Sequence, residues 1–143
     1  MAKVSNIIFC EDIQEQITAT GKKIQVVAPL QFFTPAYIPG MYSFSVLIGL
    51  MDYDPKVDHT LKLNFKLNEA DKFIMETEEI PIPAEDNAEN TNKPSGMMCN
   101  MDMRNVILEK SGEYVFNVYF DGELIETKMI NAVVVNENAT IPV

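Results

Sequence analysis

Asp52, Asp54 and Asp58 stand in a D-x-D-x-x-x-D spacing, and His59 follows directly. Closely spaced carboxylates on a loop are what a hard cation such as calcium needs, since it takes about six to eight oxygen ligands. The EF-hand pattern is absent: no Gly stands at the turn, no Glu closes a twelve-residue loop, and an imidazole is a poor ligand for calcium. An Asp-x-Asp-Pro sequence is first of all turn chemistry, because Asp side chains bond nearby backbone amides and Pro fixes φ. These three aspartates are the candidate metal ligands, and a tight turn is the competing reading.

His59 is the only histidine, and it has no Ser or Cys partner in a recognisable catalytic motif. Paired carboxylates for glycoside chemistry are easy to nominate in an acidic chain, but without Trp an obvious sugar-stacking platform is lacking. The expectation is therefore a protein that is not an enzyme and carries no cofactor. The run Met97, Met98, Cys99, Met101 and Met103 offers soft sulfur of the kind that binds Cu(I). Met97, Cys99, Met101 and Met103 share one parity in a strand, which points instead to flexible thioethers filling gaps on one core face.

Phe32, Phe33, Tyr37, Ile38 and Met41 lie in one uncharged connection stiffened by Pro35 and Pro39. Aromatic and Met side chains are enriched at the centres of protein interfaces. These residues are the candidate contact surface for a partner protein or for self-association; the alternative is that they fold back to plug one end of the domain.

The elements that must position these residues are strands. Short apolar runs with period-2 alternation, rich in β-branched and aromatic residues, occupy 3–10, 24–31, 42–50, 60–67, 73–80, 97–108, 113–120 and 123–135. Asp121-Gly122 accepts the positive φ angles of a two-residue type I′ turn and predicts a hairpin between the last two. Leu61, Leu63, Phe65 and Leu67 alternate with Lys62, Asn64 and Lys66, giving one dry face and one wet face. Residues 12–20 read as a short helix or a loop, with Asp12 as cap and Ile13 and Ile17 at i, i+4. Gly112-Glu113-Tyr114 is similar to the tyrosine corner of immunoglobulin-like sandwiches. A long polar loop is expected over 81–96.

If successive strands simply alternate direction, Glu11, Asp12, Glu15, Asp52, Asp54, Asp58, Glu85, Asp86, Glu89 and Asp121 gather at one pole, with Lys22, Lys23, Lys56 and Lys93. The Phe32–Met41 connection falls at the other. A length of 143 residues suits one domain, 1–143, with its own core. A net charge of −10 opposes nucleic-acid binding, which draws its affinity from Lys and Arg on phosphates, and it opposes attraction to an anionic bilayer. No apolar run approaches the roughly 20 residues of a spanning helix, and the apolar start Ile7-Ile8-Phe9 is too short for a secretion signal. A cytoplasmic location is expected, with Cys10 and Cys99 as free thiols, although two cysteines leave a disulfide open.

Phe9-Cys10-Glu11-Asp12-Ile13 with Glu15, Gly21-Lys22-Lys23-Ile24, Gly112-Glu113-Tyr114-Val115-Phe116 and Asp121-Gly122 together resemble an uncharacterised family of small bacterial β-sandwich proteins. The chain departs from that pattern at Val26-Val27-Ala28, where a Gly is usual. The resemblance implies a fold and no activity.

The expectation is thus an all-β, single antiparallel sandwich of about eight strands, immunoglobulin-like or C2-like in outline. It would act as a bacterial or phage-borne interaction module. The alternatives are a calcium-binding C2-like sandwich using the 52–58 loop and an acidic inhibitor that mimics nucleic acid.

Overall fold

The computed structural model describes residues 2–85 and 96–134. Of the polar loop expected over 81–96, residues 86–95 lie outside the described residues, with Asp86, Glu89 and Lys93; so does residue 135 of the last expected strand. The chain forms β1 (Lys3–Thr18), β2 (Gly21–Pro29), β3 (Phe32–Phe33), β4 (Gly40–Met51), β5 (His59–Leu67), β6 (Met75–Glu76), β7 (Ile80–Ile82), β8 (Gly96–Leu108), β9 (Gly112–Phe120) and β10 (Glu123–Ala132). No helix is present among the described residues, and none is therefore long and apolar enough to cross a membrane.

Two sheets pack together. The first has the order β2-β1-β4-β8 and the second β3-β10-β9-β5-β6, with β7 also on β5. Every pairing is antiparallel except that of β3 with β10. Alternate residues of each strand point inward: Ile7 and Phe9 on β1, Phe44, Val46, Ile48 and Leu50 on β4, Leu61, Leu63 and Phe65 on β5, and Tyr114, Phe116, Val118 and Phe120 on β9, all buried. Phe9, Phe33, Phe44, Phe65 and Phe116 meet at the centre, with centroid separations from 4.3 Å (Phe33–Phe44) to 6.5 Å (Phe65–Phe116). Burying such a ring is worth roughly 1.5–3 kcal/mol, so this cluster is the main apolar drive for closing the sandwich.

Local chemistry accounts for the sharp features. Asp121 (φ 52°) and Gly122 (φ 81°) form the two-residue turn between β9 and β10, where both positions need the left-handed region. The Tyr114 hydroxyl donates to the Lys110 carbonyl oxygen at 2.6 Å, the tyrosine-corner closure expected from 112–114. The Leu61/Leu63/Phe65 face is dry as expected. On the opposite face Asn64 is also buried, because Asn117 Nδ2 donates to its Oδ1 at 2.8 Å and Thr127 donates to Asn117 at 2.7 Å, satisfying the row across three strands.

Three expectations are corrected. Residues 12–18 are not helical: β1 continues through them and returns as β2, in register from Cys10↔Pro29 to Thr18↔Gly21 around Ala19 and Thr20. The expected strand 73–80 is broken into β6 and β7, which pair with successive parts of β5; Pro81 and Pro83 keep this edge short. The single acidic pole is split. Because β1 runs on past Cys10, Glu11, Asp12 and Glu15 ride on a ribbon pointing away from Asp52, Asp54, Asp58, Glu85 and Asp121.

Candidate functional site

At one end, where β4 leads to β5, the carboxylates serve the backbone. Asp52 (φ 62°) turns the chain out of β4 and pairs with Lys3 at 3.6 Å. Asp54 Oδ1 accepts the Lys56 amide at 2.9 Å, and Asp58 Oδ1 accepts the Ala84 amide at 2.8 Å. The three candidate metal ligands thus make three separate contacts. No group of three or more His, Cys, Asp or Glu side chains converges on a cation position among the described residues.

His59 opens β5 at this end and is 9% exposed, its ring set between Tyr53 (5.5 Å) and Phe120 (4.9 Å). Nε2 lies 2.6 Å from the Asp54 carbonyl oxygen and Nδ1 lies 2.7 Å from Asp121 Oδ2. Both ring nitrogens face acceptors, and these contacts favour the doubly protonated ring. Burial pulls its pKa down, but the Asp121 hydrogen bond and the Asp54 carbonyl outweigh that and leave it raised above 6.5. Asp121 shows the mirror case: burial pushes it up, while the hydrogen bonds from His59 and the Thr60 amide and the His59 charge hold it below 3.8. The arrangement is a clasp. It joins β5, the β9–β10 turn and the 52–58 connection.

Met97, Cys99 and Met101 are half-buried against the core, and Met103 is buried, as the packing reading expects. The first three line a cleft of about 240 Å³ between β8 and β7 with Ile80 and Pro81. Burial pushes the Cys99 thiol up to about 11, and it donates to the Ile48 carbonyl oxygen at 3.7 Å, so it is a packed thiol and not a nucleophile. Cys10 and Cys99 are free, on strands β1 and β8 that flank β4. Two strand spacings of about 4.8 Å exceed the roughly 7 Å Cα limit of a disulfide.

The opposite end carries the 32–41 connection, and the structure divides its residues. Phe33 is fully buried: β3 pairs in parallel with β10 (Phe33↔Ala132) and drives this ring into the aromatic cluster. Phe33 is therefore a core residue and is corrected as a contact candidate. Ile38 is half-buried against the core, and Phe32 is 49% exposed. Tyr37 and Met41 face solvent at 77% and 67%. The chain turns sharply between them, and a Cβ on Gly40 would collide with the Tyr37 carbonyl oxygen.

Met41 stands opposite Ile107 of β8, itself 51% exposed. Ile107 in turn lines a cleft of about 250 Å³ formed with Leu67, Phe73, Ile74 and Tyr114 and with the charged Lys72 and Glu109. Met41 and Ile107 are thus neighbours, Ile107 and Phe73 line one cleft, and Tyr37 is exposed on the connection leading to Met41, all at the end away from the aspartates. Sequence reasoning missed Ile107 and Phe73 because both sit in strand-like runs; only the register of β4 on β8 shows that Ile107 lies beside Met41.

The model of a family of unknown function (DUF6941) matches residues 5–133, and the chain belongs to that family. No curated protein matches the sequence. Among solved structures, the Pseudomonas fluorescens alkylpurine DNA glycosylase AlkC bound to DNA containing an abasic site analog is similar over 92% of this chain, with a TM-score of 0.50 and 10% identity. The chain spans 30% of the length of that protein, and the likeness is one of fold.

Proposed function

We propose that this member of the DUF6941 family is a non-catalytic interaction module of bacterial or phage origin, acting in the cytoplasm, that grips a protein partner through its Tyr37 end. One observation carries the reading: Tyr37, Met41 and Ile107 expose apolar surface beside a cleft, on a loop whose neighbouring Phe33 is locked into the core. Exposed apolar patches of this kind, set on a rigid support, are what interface centres are built from. The polar groups with most chemical potential are all engaged elsewhere. His59 is clasped between two acceptors, Asp54 holds a turn, Asp58 accepts the Ala84 amide and Asp52 pairs with Lys3.

DNA binding is not carried over from the glycosylase, since 10% identity speaks only to fold and a net charge of −10 opposes phosphate. The test is co-purification from cells with the parent and with Tyr37→Ser combined with Met41→Ser. A protein held by the parent and released by the variant, at unchanged melting temperature, supports the proposal. Equal retention by the two overturns it.

A further inference from the structure

β1 makes its last pair with β4 at Cys10↔Ser45 and then continues to Thr18. Among the described residues, Glu11–Thr18 pairs with β2 alone, so this stretch is a two-stranded ribbon standing out from the first sheet. The register is unbroken, and alternation therefore keeps Ile13 and Ile17 on the face that Phe9 presents to the core. Cross-strand partners on that face are Val26 for Ile13, Ile24 for Glu15 and Lys22 for Ile17. The other face carries Asp12, Gln14, Gln16, Thr18, Lys23 and Gln25, with Val27 opposite Asp12 at the base. On the apolar face Ile13, Ile24 and Val26 are half-buried, and Ile17 near the tip is 89% exposed. An isolated two-stranded ribbon is marginal in water, and an aliphatic face is a costly thing to leave wet.

Between Ile13 and the tip, the charges on this face are one Glu15 and one Lys22, paired at 3.3 Å. That face is neutral on a chain of net charge −10, so it is where two copies can meet without repulsion. It is also balanced in charge, because each copy presents one Glu15 and one Lys22 on it. We propose that the 11–28 ribbon is a dimerisation arm whose Ile13, Ile17, Ile24 and Val26 face packs on the same face of a second copy.

The hand of the assembly follows from sterics. Facing sheets pack about 10 Å apart, the distance at which the second sheet already lies behind the first. Parallel arms would force the partner's first sheet into that space, so the arms run in opposite directions, tip to base, about a two-fold axis. The contact is small beside a standard interface, so the association should be reversible and concentration-dependent.

Sedimentation over a concentration series tests this. The parent should pass from monomer to dimer with rising concentration, and Ile17→Glu, at a fully solvated position, should weaken association about tenfold or more with an unchanged melting temperature. Glu15→Lys alone and Lys22→Glu alone should each stay monomeric, whereas mixing these two variants should restore a heterodimer. Tyr37→Ser with Met41→Ser should dimerise like the parent, which separates this arm from the surface proposed above. A parent that is monomeric throughout, an Ile17→Glu variant that dimerises equally, or a mixture of the two charge variants that fails to associate would overturn the proposal. Any of these leaves the ribbon bare or held by a different protein.

Discussion

His59 Nδ1 lies 2.7 Å from Asp121 Oδ2 although 62 residues separate them, and the same ring reaches the Asp54 carbonyl oxygen at 2.6 Å on its other side. One buried imidazole thereby ties the start of β5 to the β9–β10 turn and to the 52–58 connection. Tyr53, Phe120, Ala2 and Ile125 surround this point, and the charged groups there are Asp54, Asp121 and Glu123, all acidic.

The pH dependence follows from the two opposed shifts. His59 is raised above 6.5, so its contribution to stability is complete below pH 6.5 and fades as pH rises through its folded value. Asp121 is lowered below 3.8, so its contribution is complete above pH 3.8 and is lost as pH falls through its folded value. The clasp should be tightest between those limits. His59 is the only histidine, so a single imidazole resonance should titrate with a midpoint above 6.5, and Asp121→Asn should lower that midpoint. A midpoint at or below 6.5 in the parent protein would be incompatible with the clasp.

Core parity gives a second expectation. Phe116 is fully buried among Phe9, Phe65 and their neighbours, and Phe116→Ala should cost about 3–5 kcal/mol in denaturant unfolding. Lys62 pairs at 3.6 Å with Glu76 in a part-exposed contact, and Lys62→Ala should stay within about 0.5 kcal/mol. Equal losses in the two variants would mean that the inward faces of β5 and β9 are misassigned.

How much of this could be read from residues alone depends on how local each cause is. The Asp121-Gly122 turn and the Tyr114 corner were legible because each is decided within a few residues. Residues 12–18 were not, since a spacing of four puts Ile13 and Ile17 on one side of a helix and equally on one side of a strand, and only pairing with β2 decides. Phe32 and Phe33 look alike in sequence; the parallel bond of β3 to β10, a long-range event, sends one inward and leaves the other half-exposed. Asn64 read as a wet-face residue because its partner Asn117 lies on another strand. The aspartates of 52–58 were legible as turn chemistry, but the use of His59 as a clasp needed the approach of Asp121.

The loop aspartates yield a third expectation. Asp52→Asn combined with Asp54→Asn preserves the side-chain oxygen that accepts the Lys56 amide and removes only an exposed pair with Lys3. Melting temperature should be nearly unchanged, and calcium titration calorimetry should give no isotherm in parent or variant. A micromolar isotherm in the parent that disappears in the variant would show that these carboxylates hold a cation after all.

Phe33 and Tyr37, four positions apart, should behave oppositely. Phe33→Ser removes a fully buried ring from the aromatic cluster and should cost about 3–5 kcal/mol, lowering the melting temperature. Tyr37→Ser, at a solvated position, should change stability by no more than about 0.5 kcal/mol. Comparable melting shifts in the two would show that the loop acts as one unit.

The claim that the Tyr37 end is the contact surface is tested most directly by photo-crosslinking in cells. A photoreactive phenylalanine analogue at position 37 is compared with the same group at position 62, on the outer face of β5. A discrete protein adduct is expected from position 37 and none from position 62. Adducts of equal yield from both positions, or from position 62 alone, would contradict it.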